Sequence, residues 1–445
     1  MSMTPLRQAR QLRGWSKARL AHELERRAQG RHALATRTSL LRMISAWESG
    51  ERDASDPYHS LLCEAYGQSA DQLGLSGGTD RARSDIGLAY SVSLSQAAST
   101  LGDLSRFDEM KHTAVTLGRY MPDALNAACL DWLFGNATMD LPGEGKAVTP
   151  HDVDEIRAMT STFDGLDRKF GGEHCRTMAV RYLRNRVLPQ VRAPKPEKVG
   201  REIFNATAVL CELIGWMAYD TSRHSLAQRY FTQALRFAEA AGDRAYAAYV
   251  LTSMADQALY LGRPDQALRL AQVARDASLR AGVPVVITEA SIFEARAHAA
   301  QGDETGCRRA LIRAEESFHQ IVPQDGPDWA KHWGTVLFAS HAATCWIDLG
   351  QPKEARPLMQ SVWESGKDQA RRRVYAASQL ARVALLDGDI EEATALGATA
   401  LESAGGLTSH RSQEQLKQLR QRFVPHARHA SVKEFEQRAD FLLAS

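Results

Sequence analysis

The sequence predicts an all-α protein: a small N-terminal domain of five short helices, followed by a long stack of paired helices. Three observations carry this. Apolar residues recur at helical spacing along most of the 445-residue chain. A short helical pattern near the N-terminus closes on Ile44-Ser45-Ala46-Trp47-Glu48-Ser49-Gly50. Beyond residue 200, three columns of small residues recur together. A single hydrophobic core stops growing near ~250–300 residues, so two or three units are expected.

In the head, Leu6–Arg13 reads as an amphipathic helix that Gly14 ends by turning left-handed. Ser16 is a candidate N-cap for a second helix over Lys17–Arg27, with Leu20, Ala21 and Leu24 on one face. A third helix fits Ser39–Glu48, where Leu40, Ile44 and Trp47 fall at i, i+4 and i+7 and Gly50 closes the turn. Trp47, on that inner stripe, reads as core. A fourth helix over Pro57–Tyr66 and a fifth turn over Ala70–Leu75 complete the unit, residues 1–76. Away from the stripe, Arg42, Ser45 and Ala46, with Met43 beside them, are free to meet a groove.

Charge sharpens the picture. The whole chain carries a formal charge of only +2, yet residues 1–52 hold eleven Lys and Arg against four Glu. That is the footprint expected for a polyanionic partner, with an ordinary solvated surface as the alternative.

Ser16-Lys17-x-x-Leu20-Ala21 and Ile44-Ser45-x-Trp47-Glu48-x-Gly50 together resemble the lambda-repressor/Cro (XRE) helix-turn-helix domain over residues 4–75, about a sixth of the chain. The resemblance implies double-stranded DNA as partner, with the second helix on the phosphate backbone and the third entering the major groove. It makes Arg42, Ala46 and Ser45 the base-edge candidates and Lys17 a phosphate contact. The stretch Ala28–Thr38 departs from the family, being about three times longer than the usual 3–4-residue turn. Its Arg31, His32, Arg37 and Thr38 are candidates for backbone contacts or for an exposed loop. Leu41 stands where polar base-readers often occur, so either the third helix starts later than Ser39 or Leu41 meets thymine methyls.

The Gly- and Ser-rich run Ser76-Gly77-Gly78-Thr79-Asp80-Arg81 predicts a hinge at 77–85. A helical connecting region spans 86–200, interrupted by a loop over Asn136–Thr149 and bounded by Pro189, Pro194 and Pro196. Within the loop, Gly143-Glu144-Gly145-Lys146 lacks the first glycine and the Ser/Thr that a phosphate loop requires. From 201 to 405 the small columns run Gly215, Ala255, Ala295, Ala343, Ala381; then Ala227, Ala267, Cys307, Ala355, Ala393; then Ala234, Ala274, Ala314, Val362, Ala400. Turns repeat between the first two columns at Gly262, Gly302, Gly350 and Gly388. Each copy is a helix, a tight turn and a second helix, held close by the small residues. The pattern resembles the tetratricopeptide (TPR) repeat with longer helices, in about five copies, with a lengthened connection at Pro323–Pro327. Such an α-solenoid presents a concave groove built from first helices and needs a polar cap, which Ser409–Phe423 and Ala430–Leu443 supply within 406–445. The groove face would carry Glu212, Trp216, Tyr249, Asp256, Arg296, Ser340, Thr344, Tyr375 and Arg382, either to bind an effector or simply as solvated residues.

No paired carboxylates, Ser/His/Asp set or His-x-x-x-His emerges, and His426 and His429 lie on a basic stretch, so no enzyme activity, cofactor or metal is expected. Six scattered cysteines without a Cys-x-x-Cys pair read as reduced, buried thiols. There is no run of about 18 apolar residues, and Met1–Arg13 is unlike a secretory signal, so no membrane association and a cytoplasmic location are expected.

As a whole, and in Gly215-Trp216-Met217-Ala218-Tyr219-Asp220 through Ala227-Gln228-Arg229-Tyr230-Phe231 particularly, the chain is similar to actinobacterial XRE regulators carrying TPR repeats, and more loosely to peptide-pheromone receptors of other bacteria. That implies a transcriptional regulator binding as a homodimer, with a body that mediates dimerisation or senses a peptide or small molecule. The competing expectation is a protein-interaction scaffold with a vestigial head.

Overall fold

A computed structural model of the chain describes residues 4–443 except 30–33, 50–53, 55–56, 69–72, 74, 76–84, 117, 136, 142, 144, 323–325, 332, 367–368 and 406–409. Gly50, Arg31, His32, most of the expected fifth turn and nearly all of the hinge lie outside the described residues. What is described is helical, with no strand beyond one isolated bridge between Ser93 and Thr138. The chain divides into two compact units, Met1–Asp85 and Ile86–Ser445.

The first unit contains α1 (Pro5–Leu12), α2 (Lys17–Ala28), α3 (Arg37–Ser49) and α4 (Tyr58–Tyr66). Gly14 takes φ +63° after α1, and the Ser16 hydroxyl caps α2 by accepting from the Arg19 amide at 3.1 Å. Leu6, Leu20, Leu24, Leu40, Ile44, Trp47, Leu61 and Leu62 form the core. Trp47 packs on Tyr58 with centroids 5.3 Å apart, so it is core as expected. The Tyr58 hydroxyl accepts from the Ala35 amide at 2.8 Å, pinning the end of the α2–α3 connection.

Two corrections concern α3. It begins at Arg37, not Ser39, because the Thr36 carbonyl already accepts from the Leu40 amide at 2.8 Å and the Thr36 hydroxyl reaches Ser39 Oγ at 3.0 Å. Three consecutive polar residues conceal that start from a search for apolar spacing. Arg37 and Thr38 therefore stand in the first helical turn rather than in the connection, which shortens to Gln29–Thr36. Leu41, in turn, is half-buried against the head core, so neither a later helix start nor an outward role for it holds.

The second unit opens with α5 (Leu94–Glu109), α6 (Thr113–Thr116), α7 (Pro122–Phe134), α8 (Pro150–Phe170) and α9 (Gly172–Tyr182). The chain does not break at Pro189. A π-helical turn over Leu183–Val187 leads directly into α10 (Leu188–Arg192), so Pro189 stands just past a widened turn inside a continuous helical run. The break comes at Ala193–Pro196.

Five helix pairs follow: α11 (Glu197–Asp220) with α12 (His224–Ala240), α13 (Arg244–Tyr260) with α14 (Pro264–Ala281), α15 (Pro284–Ala300) with α16 (Glu304–Phe318), α17 (Thr335–Asp348) with α18 (Pro352–Ser365), and α19 (Ala370–Asp387) with α20 (Ile390–Ala404). All fifteen residues of the three small columns are buried. At Gly215 the reason is visible: a Cβ there would sit 2.6 Å from the Phe231 ring, so only glycine lets α11 and α12 approach this closely. Gly262, Gly302, Gly350 and Gly388 all take positive φ within their pairs, while Ser222 does so in the first pair at φ 59°. The helix after each of the four glycine turns starts in one of two ways. Pro264 and Pro352 stand in the first turn of theirs, whereas Asp303 and Asp389 cap by accepting from backbone amides at 2.9 and 2.8 Å. The stack ends in α21 (His410–Phe423) and α22 (Ala430–Leu443), locked by Phe423 against Phe435 at 4.9 Å.

The segment before the pairs is part of the same body. α12 buries Gln228, Arg229, Gln233 and Arg236 on the face that a solenoid's second helix would leave in water. Arg236 donates to the carbonyls of Ser91 (2.7 Å), Val92 (3.1 Å) and Thr138 (2.9 Å), and Gln228 bonds both the amide and the carbonyl of Met121 at 2.9 and 2.7 Å. Residues 86–140 thus cover the back of the first pair, and these backbone acceptors account for the polar side chains buried there.

Candidate functional site

Two regions collect functional side chains, one in each unit. In the head, internal ion pairs engage Glu23, Glu25 and Glu48. Glu48 receives both Arg10 Nε (2.5 Å) and Arg10 Nη2 (2.9 Å), and its carbonyl accepts from the Thr4 hydroxyl at 2.7 Å, tying the end of α3 to the start of the chain. That bond holds Arg10 above its ordinary value. Glu23 gathers Arg19 (2.9 Å), Arg26 (3.1 Å) and Arg27, and its carboxyl is held low by the guanidinium groups of Arg27 and then Arg26 against the effect of burial. Arg37 pairs with Glu25 at 3.3 Å.

Apart from Arg7 and Arg13 at α1, the described basic residues outside these pairs gather on one side of α3. Arg42 is exposed and has no hydrogen bond or ion pair among the described residues, and Thr38 is exposed beside it. Lys17 reaches across from α2 and donates to Ser45 Oγ at 2.9 Å, while Ser45 donates to the Leu41 carbonyl at 3.0 Å. Ser45 therefore has no proton left to offer a base and is available only as an acceptor. Ala46 is half-exposed between Arg42 and Ser49. The geometry brings Lys17, Arg42, Ser45 and Ala46 together and leaves Arg37 tied to α2.

In the body, all eight of Glu212, Trp216, Tyr249, Asp256, Arg296, Ser340, Tyr375 and Arg382 line one cavity of about 1550 Å³. Trp216, Arg296, Ser340, Tyr375 and Arg382 are partly exposed there, and several of the eight bond one another or their neighbours. Glu212, Tyr249 and Asp256 are less than a tenth exposed. Asp256 accepts from Arg296 at 2.7 Å, Arg382 donates to Asp348 at 2.6 Å, and Thr344 shares a 2.6 Å bond with the Tyr375 hydroxyl. Glu212 accepts from Ser253 at 2.9 Å and from the Trp216 indole. Ser340 supplies its carbonyl to Thr344 at 2.8 Å.

The cavity is not the open groove expected of first helices alone. α8 contributes Asp164 and Asp167, the connection before α17 contributes Trp329, and α21 contributes Arg411 and Gln415. Far from being only a cap, α21 turns a polar face inward. The two ends of the stack meet through Arg371 on α19, which reaches Asp220 at 3.2 Å and Asp167 at 3.9 Å. Arg411 stacks over Tyr219 at 4.8 Å and Trp216 at 5.9 Å.

Nine basic side chains line the cavity against seven acidic ones, and burial widens the difference. It pushes the carboxyls of Glu212 and Glu289 up to about 7 and about 8, and that of Asp167 up to about 6. Burial also pushes on Asp256, but Arg296 and then Arg411 outweigh it and hold that carboxylate low. His224, on the far side of Tyr219, is pushed down to about 4 by burial and by Arg411, so its ring is neutral.

Sequence reasoning missed Arg411, Arg371, Tyr246 and Trp329. Trp329 sits in a connection without periodicity, and Arg411 in a helix whose composition announces only a polar surface. Among the described residues, no group of three or more His, Cys, Asp or Glu is placed to hold a metal, and no helix is long and apolar enough to cross a membrane. All six cysteines are free, five of them buried, with burial raising Cys129 and Cys175 to about 11. Set against known families, the chain matches no family model, and no curated protein matches it.

Proposed function

We propose that the chain is a sequence-specific DNA-binding transcriptional regulator of the helix-turn-helix type, whose body of TPR-like helix pairs governs it by sensing a ligand, by holding a homodimer, or both. The observation that carries this reading is the division of charge in the head. Glu23, Glu25 and Glu48 are drawn into ion pairs with Arg10, Arg19, Arg26, Arg27 and Arg37, and of the described basic side chains outside those pairs Lys17 and Arg42 share the outward side of α3 with Ser45 and Ala46, while Arg7 and Arg13 belong to α1 and its end.

An exposed, unpaired arginine on a helix of this length suits a guanine edge, whose O6 and N7 accept two parallel bonds from the guanidinium. Lys17 suits a phosphate, and its bond to Ser45 presets its position. In the body, a cavity lined by aromatic and cationic groups supports a sensing role.

Duplex-DNA binding measured at rising salt tests the proposal. A regulator of this kind loses affinity steeply, because each phosphate contact releases counterions. Absence of duplex binding at low salt would leave the interaction-scaffold reading in its place.

A further inference from the structure

The ligand class of the body's cavity follows from which of its charges are already satisfied. Arg296 is matched by Asp256, Arg382 by Asp348, and Arg371 by Asp220 and Asp167. Glu212 and Glu289 accept from Trp216, Ser253 and Trp333, which satisfies them without any cation. Arg372, Arg411 and Arg422 are different, and of these three Arg411 is the one that lies over aromatic rings. Among the described residues it makes no ion pair or hydrogen bond, only the stacking contacts over Tyr219 and Trp216. A guanidinium in that setting keeps its fork of donors free while its flat face rests on aromatic rings.

The wall beyond it is aromatic. Trp216, Tyr219, Tyr246, Tyr249 and Trp329 all line the same cavity, with Trp329 4.9 Å from Tyr249 and 5.0 Å from Tyr246, centroid to centroid. Tyr246 is fully buried, and its hydroxyl has no hydrogen-bond partner among the described residues. Buried hydroxyls are rarely left so.

We propose that this cavity binds a small organic anion with a flat aromatic body, its carboxylate or sulfonate held by Arg411 and its rings against the Trp216–Tyr249–Trp329 wall. This deepens the sensing role proposed above and rests on it. The cavity's volume of about 1550 Å³ exceeds the ~300–1,000 Å³ usual for such ligands, so the molecule occupies the Arg411 end.

The test uses the full chain without DNA, so that failure of DNA binding cannot be confused with failure of this inference. Fluorescence titration with 1-anilinonaphthalene-8-sulfonate is compared with N-phenyl-1-naphthylamine, the same ring system without the sulfonate. The sulfonate dye is expected to saturate near one per chain. Arg411→Gln is expected to weaken it at least tenfold and the neutral dye less than twofold, with Arg411→Lys intermediate. Should the Gln variant fail to fold, competition on the unaltered chain decides: indole-3-acetate displaces the dye at concentrations at least tenfold lower than tryptophol does. Equal losses for the two dyes in a folded variant, equal potency of the two competitors, or displacement by an acidic decapeptide but not by indole-3-acetate would each overturn the proposal.

Discussion

The two units use arginine in opposite ways. In the head, paired arginines form the frame behind α3, as Arg10 does with Glu48, and the unpaired Arg42 points outward. In the body, Arg296 is paired with Asp256 inside a cavity, and Arg411 lines the same cavity without an ion pair among the described residues. An unpaired cation at the surface costs little, since water solvates it, and so it remains free to meet a large partner. An unpaired cation indoors is costly unless rings or a ligand attend it. The contrast teaches that the place of the unmatched charge, more than the number of charges, underlies the two different roles proposed for Arg42 and Arg411.

Changes to this arrangement rank by size. The largest effect is expected from Glu48→Ala, which strands Arg10 without its partner inside the head. Removing one member of a buried pair costs about 3–5 kcal/mol, and urea unfolding of the head is expected to show a loss of that order while the body's transition stays in place. A shift of both transitions would break the independence of the two frames.

The body's buried acids give the next effect, through pH. Glu212 and Glu289 are raised by burial from 4.5 to about 7 and about 8, so the folded body keeps protons that the unfolded chain has released. Stability accordingly falls as pH rises from about 4.5 to about 8. Glu289→Gln is expected to recover on the order of 2 kcal/mol at pH 8 and almost nothing at pH 4, as read by thermal unfolding across that range. A pH-independent change would contradict the assignment of Glu289 as a neutral carboxyl at pH 7.

Gly215→Ala comes third. The added methyl meets the Phe231 ring, and overpacking of this kind costs about 1–3 kcal/mol. Phe231→Leu in the same chain is expected to return part of it. Smallest is Arg42→Ala, which is expected to leave thermal stability within about 0.5 kcal/mol, since the side chain touches nothing the fold needs. A larger loss would make Arg42 a structural residue like Arg10.

The same contrast explains what the sequence could reveal. The helix pairs were legible, because close packing of two helices demands small residues at fixed intervals and Gly215, Ala227 and Ala234 recur in register down the chain. The stripe Leu40–Ile44–Trp47 was legible for the same reason of periodicity. Long-range pairing was not. Nothing local joins Arg10 to Glu48 or Lys17 to Ser45, so the structural duty of Glu48 and the reduced freedom of Ser45 appear only once the helices pack. The face positions along the first helices were readable from helical phase, whereas the closure by α8, Trp329 and α21 depends on how far the stack curls. The burial of Arg236 under residues 86–140 escaped as well, since its acceptors are backbone carbonyls, which carry no residue signature.

The most direct test of the central claim is a comparison of base preference between two variants of the head, by quantitative selection from random duplex DNA and binding at several salt concentrations. The account predicts that Arg42→Ala flattens preference at one base pair, by about 1–3 kcal/mol of lost discrimination, with the salt slope nearly intact. It predicts that Lys17→Ala weakens every sequence alike and lowers the salt slope by about one contact. Identical behaviour of the two variants, or no duplex binding by the unaltered chain at low salt, would contradict it.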